Sequence, residues 1–126
     1  MKDDKQMLAD QVKSIRDTLE NPPMCCRDCE CEVDEEHTEC PECESTDIEQ
    51  MSGFDYLEDI LDINFIINAD RSFKGARVLV CFGGPNIWVD TTTDTIEGHW
   101  WGDEFSLSYK DNIGLHEACE DLYLCA

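Results

Sequence analysis

Two C-x-x-C pairs, Cys26 with Cys29 and Cys40 with Cys43, stand ten residues apart, and no other feature of the chain restricts its folding as much. A two-residue gap lets a tight turn aim both sulfurs at one ion, and the stretch between the pairs is long enough to double back as a short hairpin. Pro41 stiffens the second turn. A disulfide framework is the competing reading. The chain opens on the charged run Met1 to Lys5 and shows no secretory signal peptide, so a reducing cytoplasm and a metal site are expected.

The runs Cys26-Arg27-Asp28-Cys29 and Cys40-Pro41-Glu42-Cys43 resemble the paired knuckles of a zinc ribbon, the rubredoxin-like motif, over residues 24 to 50. The resemblance implies Zn2+ held by Cys26, Cys29, Cys40 and Cys43. All-sulfur tetrahedral cages also hold iron in rubredoxin-like electron carriers, so iron is the alternative metal. Zinc ribbons often place Gly just after each C-x-x-C, where the backbone turns left-handed. Here Glu30 and Glu44 stand in those places and imply strain or a different turn. Cys25, Cys31 and His37 flank the quartet as alternative ligands, although four thiolates already complete a set.

Charge is the second constraint. Thirty acidic residues against nine basic ones give a formal net charge of -21, and four thiolates on a divalent ion would add about two more negative charges. Such a field repels phosphates, so direct nucleic-acid binding is disfavoured and a basic protein is the expected partner. Residues 22 to 50 carry eleven acids and one base, the densest patch of the chain. Within the patch, Glu32, Asp34, Glu35 and Glu36 are the candidate partner-binding residues of the hairpin. A merely solvated acidic surface is the alternative. No apolar run is long enough to span a membrane.

Three segments follow from the patterning: a helix in residues 1 to 21, the cysteine ribbon in 22 to 50, and an α+β domain in 51 to 126. Leu8, Val12, Ile15 and Leu19 recur at steps of four, three and four, which predicts an amphipathic helix over about Asp3 to Leu19, stopped by Pro22 and Pro23. Its apolar stripe can pack on the rest of the fold or on a second copy, as a homodimer. After the ribbon, Ser52 caps a short helix through Leu61. Alternating segments at Ile63–Ile67, Arg77–Phe82, Asn86–Asp90, Thr95–Trp101 and Phe105–Tyr109 then predict an antiparallel sheet of four or five strands. A helix over about Asn112 to Leu124 closes the chain. The expected class is α+β, with flanking helices and the ribbon inserted after the first helix.

Gly83-Gly84-Pro85 reads as a bend between strands, because neither a Lys nor a helix follows it. His99 has no Ser, Cys or second His in a recognisable catalytic pattern, although His99 with Asp103 or Glu104 is the one hydrolase arrangement to consider. Trp100 and Trp101, adjacent on a strand, point to opposite faces, so one can fill the core and the other meet a partner. Trp100, Trp101, Asp103 and Glu104 are therefore the second candidate partner-binding group, since tryptophan among carboxylates suits an Arg-rich surface.

These readings predict a non-enzymatic, cytoplasmic, acidic zinc protein that occludes a basic nucleic-acid-handling partner. In size and charge the chain is similar to the small acidic inhibitors that phages and mobile elements direct against restriction or CRISPR systems, some of which mimic nucleic acid. That similarity is one of composition. The alternatives are an iron electron carrier and a host regulatory protein with a structural ribbon.

Overall fold

The computed structural model describes residues 4–29, 31–34, 36–100 and 102–125. It is an α+β fold with two separate antiparallel sheets. Helix α1 (Asp4–Glu20) leads into three short strands, β1 (Met24–Cys26), β2 (Glu32–Val33) and β3 (Ile48–Gln50), arranged in the order β2-β1-β3. Helix α2 (Gly53–Leu57) then leads to the larger sheet. Its strands are β4 (Asp62–Ile67), β5 (Phe73–Cys81), β6 (Asn86–Asp90), β7 (Thr95–Trp100) and β8 (Asp103–Ser108), and helix α3 (Leu115–Cys125) follows. The five strands form a meander in sequence order. Short connections permit nothing else, because a parallel pair would need a crossover.

The core lies on one face of this sheet. Val78, Val89, Ile96 and Ile87 point inward from β5, β6 and β7 and meet Leu8, Val12 and Leu19 of α1 and Leu115 and Cys119 of α3. All nine are fully buried. The apolar stripe of α1 thus packs within the chain, against the β7–β8 side of the sheet, while α3 covers β5. Gly98 makes that approach feasible. A Cβ there would come within 2.8 Å of Leu8 Cδ1 and 2.9 Å of Val12 Cγ2. Gly53 serves α2 in the same way, since a Cβ on it would run into the Gly114 carbonyl and lie 2.9 Å from the Ala118 Cβ.

The helix ends are satisfied by side chains that sequence patterning places only in part. The Ser52 hydroxyl accepts from the Asp55 N–H, and the Asp55 carboxylate accepts from the Ser52 N–H at 2.8 Å, a full capping box on α2. Helix α3 starts three residues later than its apolar spacing suggests. The Asp111 carboxylate accepts from the backbone of Gly114, Leu115 and His116 at 2.9 to 3.0 Å, and the chain turns through Gly114 at φ 80° before the helix begins. At the other end of α1, Asn112 Nδ2 donates to the Glu20 carbonyl at 2.8 Å.

Trp88, Glu97 and His99 alternate with the inward residues of β6 and β7 and so lie on the opposite face of the large sheet. The Arg77 guanidinium stacks on the Trp88 ring at 5.0 Å and reaches Glu97 Oε2 at 2.8 Å. Among the described residues, no helix is long and apolar enough to cross a membrane.

Candidate metal centre

The small sheet brings the four cysteines of the two C-x-x-C pairs together. Strand β1 delivers Cys26, and the turn after it delivers Cys29. The second turn is closed by the Glu44 N–H donating to the Cys40 carbonyl and the Cys40 N–H donating to the Ser45 carbonyl, both at 2.8 Å. The two turns face each other. Sγ of Cys26 lies 3.5 Å from that of Cys43, and Sγ of Cys29 lies 3.4 Å from that of Cys40. All four sulfurs lie within 4.8 Å of one another, so the residues are positioned to bind a metal ion. A tetrahedral ion with bonds of about 2.3 Å to sulfur sets its ligands about 3.8 Å apart, and the Cys26–Cys43 and Cys29–Cys40 contacts lie within a few tenths of an ångström of that spacing.

Burial and hydrogen bonding distinguish the four. Cys26 and Cys40 are buried, and Cys29 and Cys43 are exposed. Sulfurs packed this closely cannot all carry charge without a cation between them. Burial opposes ionisation of Cys40, but donors at its sulfur, the Cys43 and Glu42 N–H groups and the Cys31 and Cys29 thiols, draw it down to about 6. The Cys29 thiol, in contact with Cys31 above all, is pushed up to about 12.

Glu44, just after the second pair, adopts φ 61°, the left-handed conformation that the turn requires and that glycine would accept without cost. Glu30, its counterpart after the first pair, lies outside the described residues, as does Asp3 at the head of α1.

Of the three flanking candidates, none belongs to the mutually close quartet. Cys25 sits on β1 opposite Glu32 and Glu49, facing away from Cys26, and burial raises its thiol first, with Asp55 adding to the effect. His37 is exposed in the hairpin. Cys31 is different, because its Sγ touches two of the quartet, Cys29 at 3.1 Å and Cys40 at 3.2 Å.

Arg27 and Asp55 form a junction that motif reading does not reveal. Arg27 fills one of the two spacer positions of the first pair. Its guanidinium reaches Glu49 Oε2 at 3.0 Å and, at 2.8 Å, Asp55 Oδ1 on α2. Asp55 therefore closes the α2 capping box and anchors the first cysteine turn with one carboxylate. Arg27 first, then the Ser52 backbone, hold that carboxyl at about 2. The only available signal was the S-x-x-D spacing of Ser52 and Asp55 beside a lone arginine, and neither carries distance information across the sequence.

The candidate partner residues fall on two elements. In the hairpin, Glu32, Asp34 and Glu36 are exposed, and Glu35 lies outside the described residues. At the β7–β8 turn, Trp100 pairs with Asp103 and His99 with Glu104. Trp100 is half-buried and packs against the main core, Asp103 is half-buried, and Glu104 is exposed. Trp101 lies outside the described residues. His99 Nδ1 stands 3.6 Å from Glu104 Oε1 on the open face of the sheet. Gly83 and Gly84 lie in the loop between β5 and β6, with Gly83 at φ 100°.

Comparison of the chain with protein-family models, with curated proteins and with solved structures finds no match.

Proposed function

We propose that this chain is a small zinc-stabilised acidic interaction protein that inhibits a basic nucleic-acid-handling partner by occlusion, in the manner of the phage-type anti-CRISPR or anti-restriction inhibitors its composition resembles. The observation that carries this reading is the uncompensated charge of the cysteine hairpin. Residues 22 to 50 hold eleven acids and one base, Arg27, and that base is engaged by Glu49 and Asp55. Glu32, Asp34, Glu36, Glu39, Glu42 and Glu44 are left exposed on a frame only a few residues wide. Carboxylates held this way can occupy an Arg- and Lys-lined groove in place of phosphates, with Trp100, Trp101, Asp103 and Glu104 as a second contact.

In this reading Cys26, Cys29, Cys40 and Cys43 hold Zn2+ in a zinc ribbon, and the ion supplies folding energy rather than chemistry. The protein acts in a reducing cytoplasm and makes or breaks no bond in its partner. Metal analysis of the purified protein tests the ion. One zinc per chain and no visible colour are expected, whereas a coloured, iron-loaded protein would replace this reading with an electron carrier.

The partner is tested by capture from a bacterial lysate on the immobilised, zinc-loaded chain, with bound proteins identified by mass spectrometry. A nucleic-acid-binding protein that is displaced by duplex DNA and by rising salt is expected. A captured protein that stays bound through high salt, or that DNA does not displace, would overturn mimicry.

A further inference from the structure

The cluster holds one more sulfur than a tetrahedral ion takes. Cys31 is the surplus thiol, half-buried, 3.1 Å from Cys29 Sγ and 3.2 Å from Cys40 Sγ. The first cysteine turn fixes its place, since the Cys31 carbonyl accepts from the Cys26 N–H at 2.9 Å. Of its two sulfur neighbours, Cys40 is fully buried and Cys29 is exposed. Oxidation of cysteine follows thiolate character and exposure, and a metal-bound Cys29 would have both.

We propose that Cys31 is the resolving thiol of a peroxide-sensitive switch, in which a Cys29–Cys31 disulfide dismantles the metal cage. The proposal rests on the four-thiolate metal reading above. The oxidant is hydrogen peroxide. The Cys29 thiolate attacks one peroxide oxygen, the O–O bond breaks, and the sulfur becomes a sulfenic acid while the released hydroxide takes up a proton as water. The Cys31 sulfur, giving up its proton, then attacks the Cys29 sulfur, and the S–O bond breaks to release a second water. Two thiols have lost two electrons to the peroxide, and one S–S bond has formed. That bond needs the sulfurs to close from 3.1 Å to about 2.05 Å. The ion is left with three thiolates and a weakened site.

Cys31 suits this step because it alone among the contacting thiols lies outside the quartet. Cys40 is also close to Cys29, at 3.4 Å, but it is itself one of the four ligands and is fully buried. Cys25 faces the other side of β1.

The test uses the full chain, zinc-loaded, with the Cys31→Ala and Cys31→Ser variants. Zinc content is measured first, then zinc release to a chromogenic chelator under hydrogen peroxide, then the disulfide by peptide mapping. The wild type is expected to release zinc with a Cys29–Cys31 disulfide and to recover on reduction and zinc addition. Both variants should bind zinc normally, release it about tenfold more slowly, and accumulate Cys29 as an unrecoverable sulfinic acid. A wild-type disulfide that joins Cys29 to Cys40 or Cys43 would overturn the proposal, and that mapping does not depend on any variant folding. Equal release and recovery in the variants, or their failure to bind zinc while the wild type does, would also overturn it. A wild type that binds no zinc would overturn the metal reading itself.

Discussion

Glu44 shows how a single residue can work against its own turn. At φ 61° its Cβ crowds the following carbonyl, a cost of about 1 to 2 kcal/mol that glycine does not incur, partly offset by the greater freedom of glycine in the unfolded chain. Glu44→Gly is therefore expected to stabilise the metal-loaded turn by about 0.5 to 1 kcal/mol, read as a tighter zinc affinity in competition with a chromogenic chelator. Asp55 is the second residue whose behaviour is specific. Its folded value, about 2, lies below the ordinary 3.8, so its contribution is present above that ordinary value and is lost as pH falls through about 2. The melting temperature of the wild type should exceed that of Asp55→Asn at neutral pH, and the gap should close between pH 4 and pH 2. A gap independent of pH over that range would mean that the Arg27 junction contributes nothing through charge.

The two sheets are stabilised differently. The five-stranded sheet buries Val78, Ile87, Val89 and Ile96 under α1 and α3, an apolar core of ordinary make-up. The three-stranded sheet has a core of Cys26, Val33 and Cys40, with Cys31 and Ile48 beside them. Three of those five are cysteines, too little apolar surface to offset the ordering of the residues around it. Chelation of the metal is thus expected to abolish amide protection across β1, β2 and β3 while leaving β5, β6 and β7 protected, as hydrogen exchange with mass spectrometry would read. Uniform loss of protection in both sheets would show instead that the chain unfolds as one unit, with the Arg27–Asp55 ion pair and the shared α2 cap transmitting the change.

At the scale of the whole molecule, a charge of -21 on 126 residues acts against compactness as well as for recognition. Like charges in the folded state repel over the distance that salt screens. Moderate salt should raise the melting temperature of the metal-loaded protein by a few degrees, checked by thermal unfolding across a sodium chloride series. The same salt should weaken association with a basic partner. Opposite signs for these two dependences are the signature expected of an acidic recognition surface, and a partner affinity that rises with salt would contradict it.

The spacing of Cys26, Cys29, Cys40 and Cys43 determined by itself that four sulfurs could meet, because the geometry of a C-x-x-C turn is local. The alternating segments from Asn86 to Asp90 and from Thr95 onward likewise marked strands, since a pleat has a period of two. Tertiary structure alone decided what crosses between elements. It placed Trp88 beneath Arg77, paired Arg77 with Glu97, and put Arg27 on Asp55. It also set Cys31 against Cys29 and Cys40. Such contacts depend on how two turns are docked on one another, and docking is fixed by packing and by charge pairs distant in sequence, which no local pattern encodes.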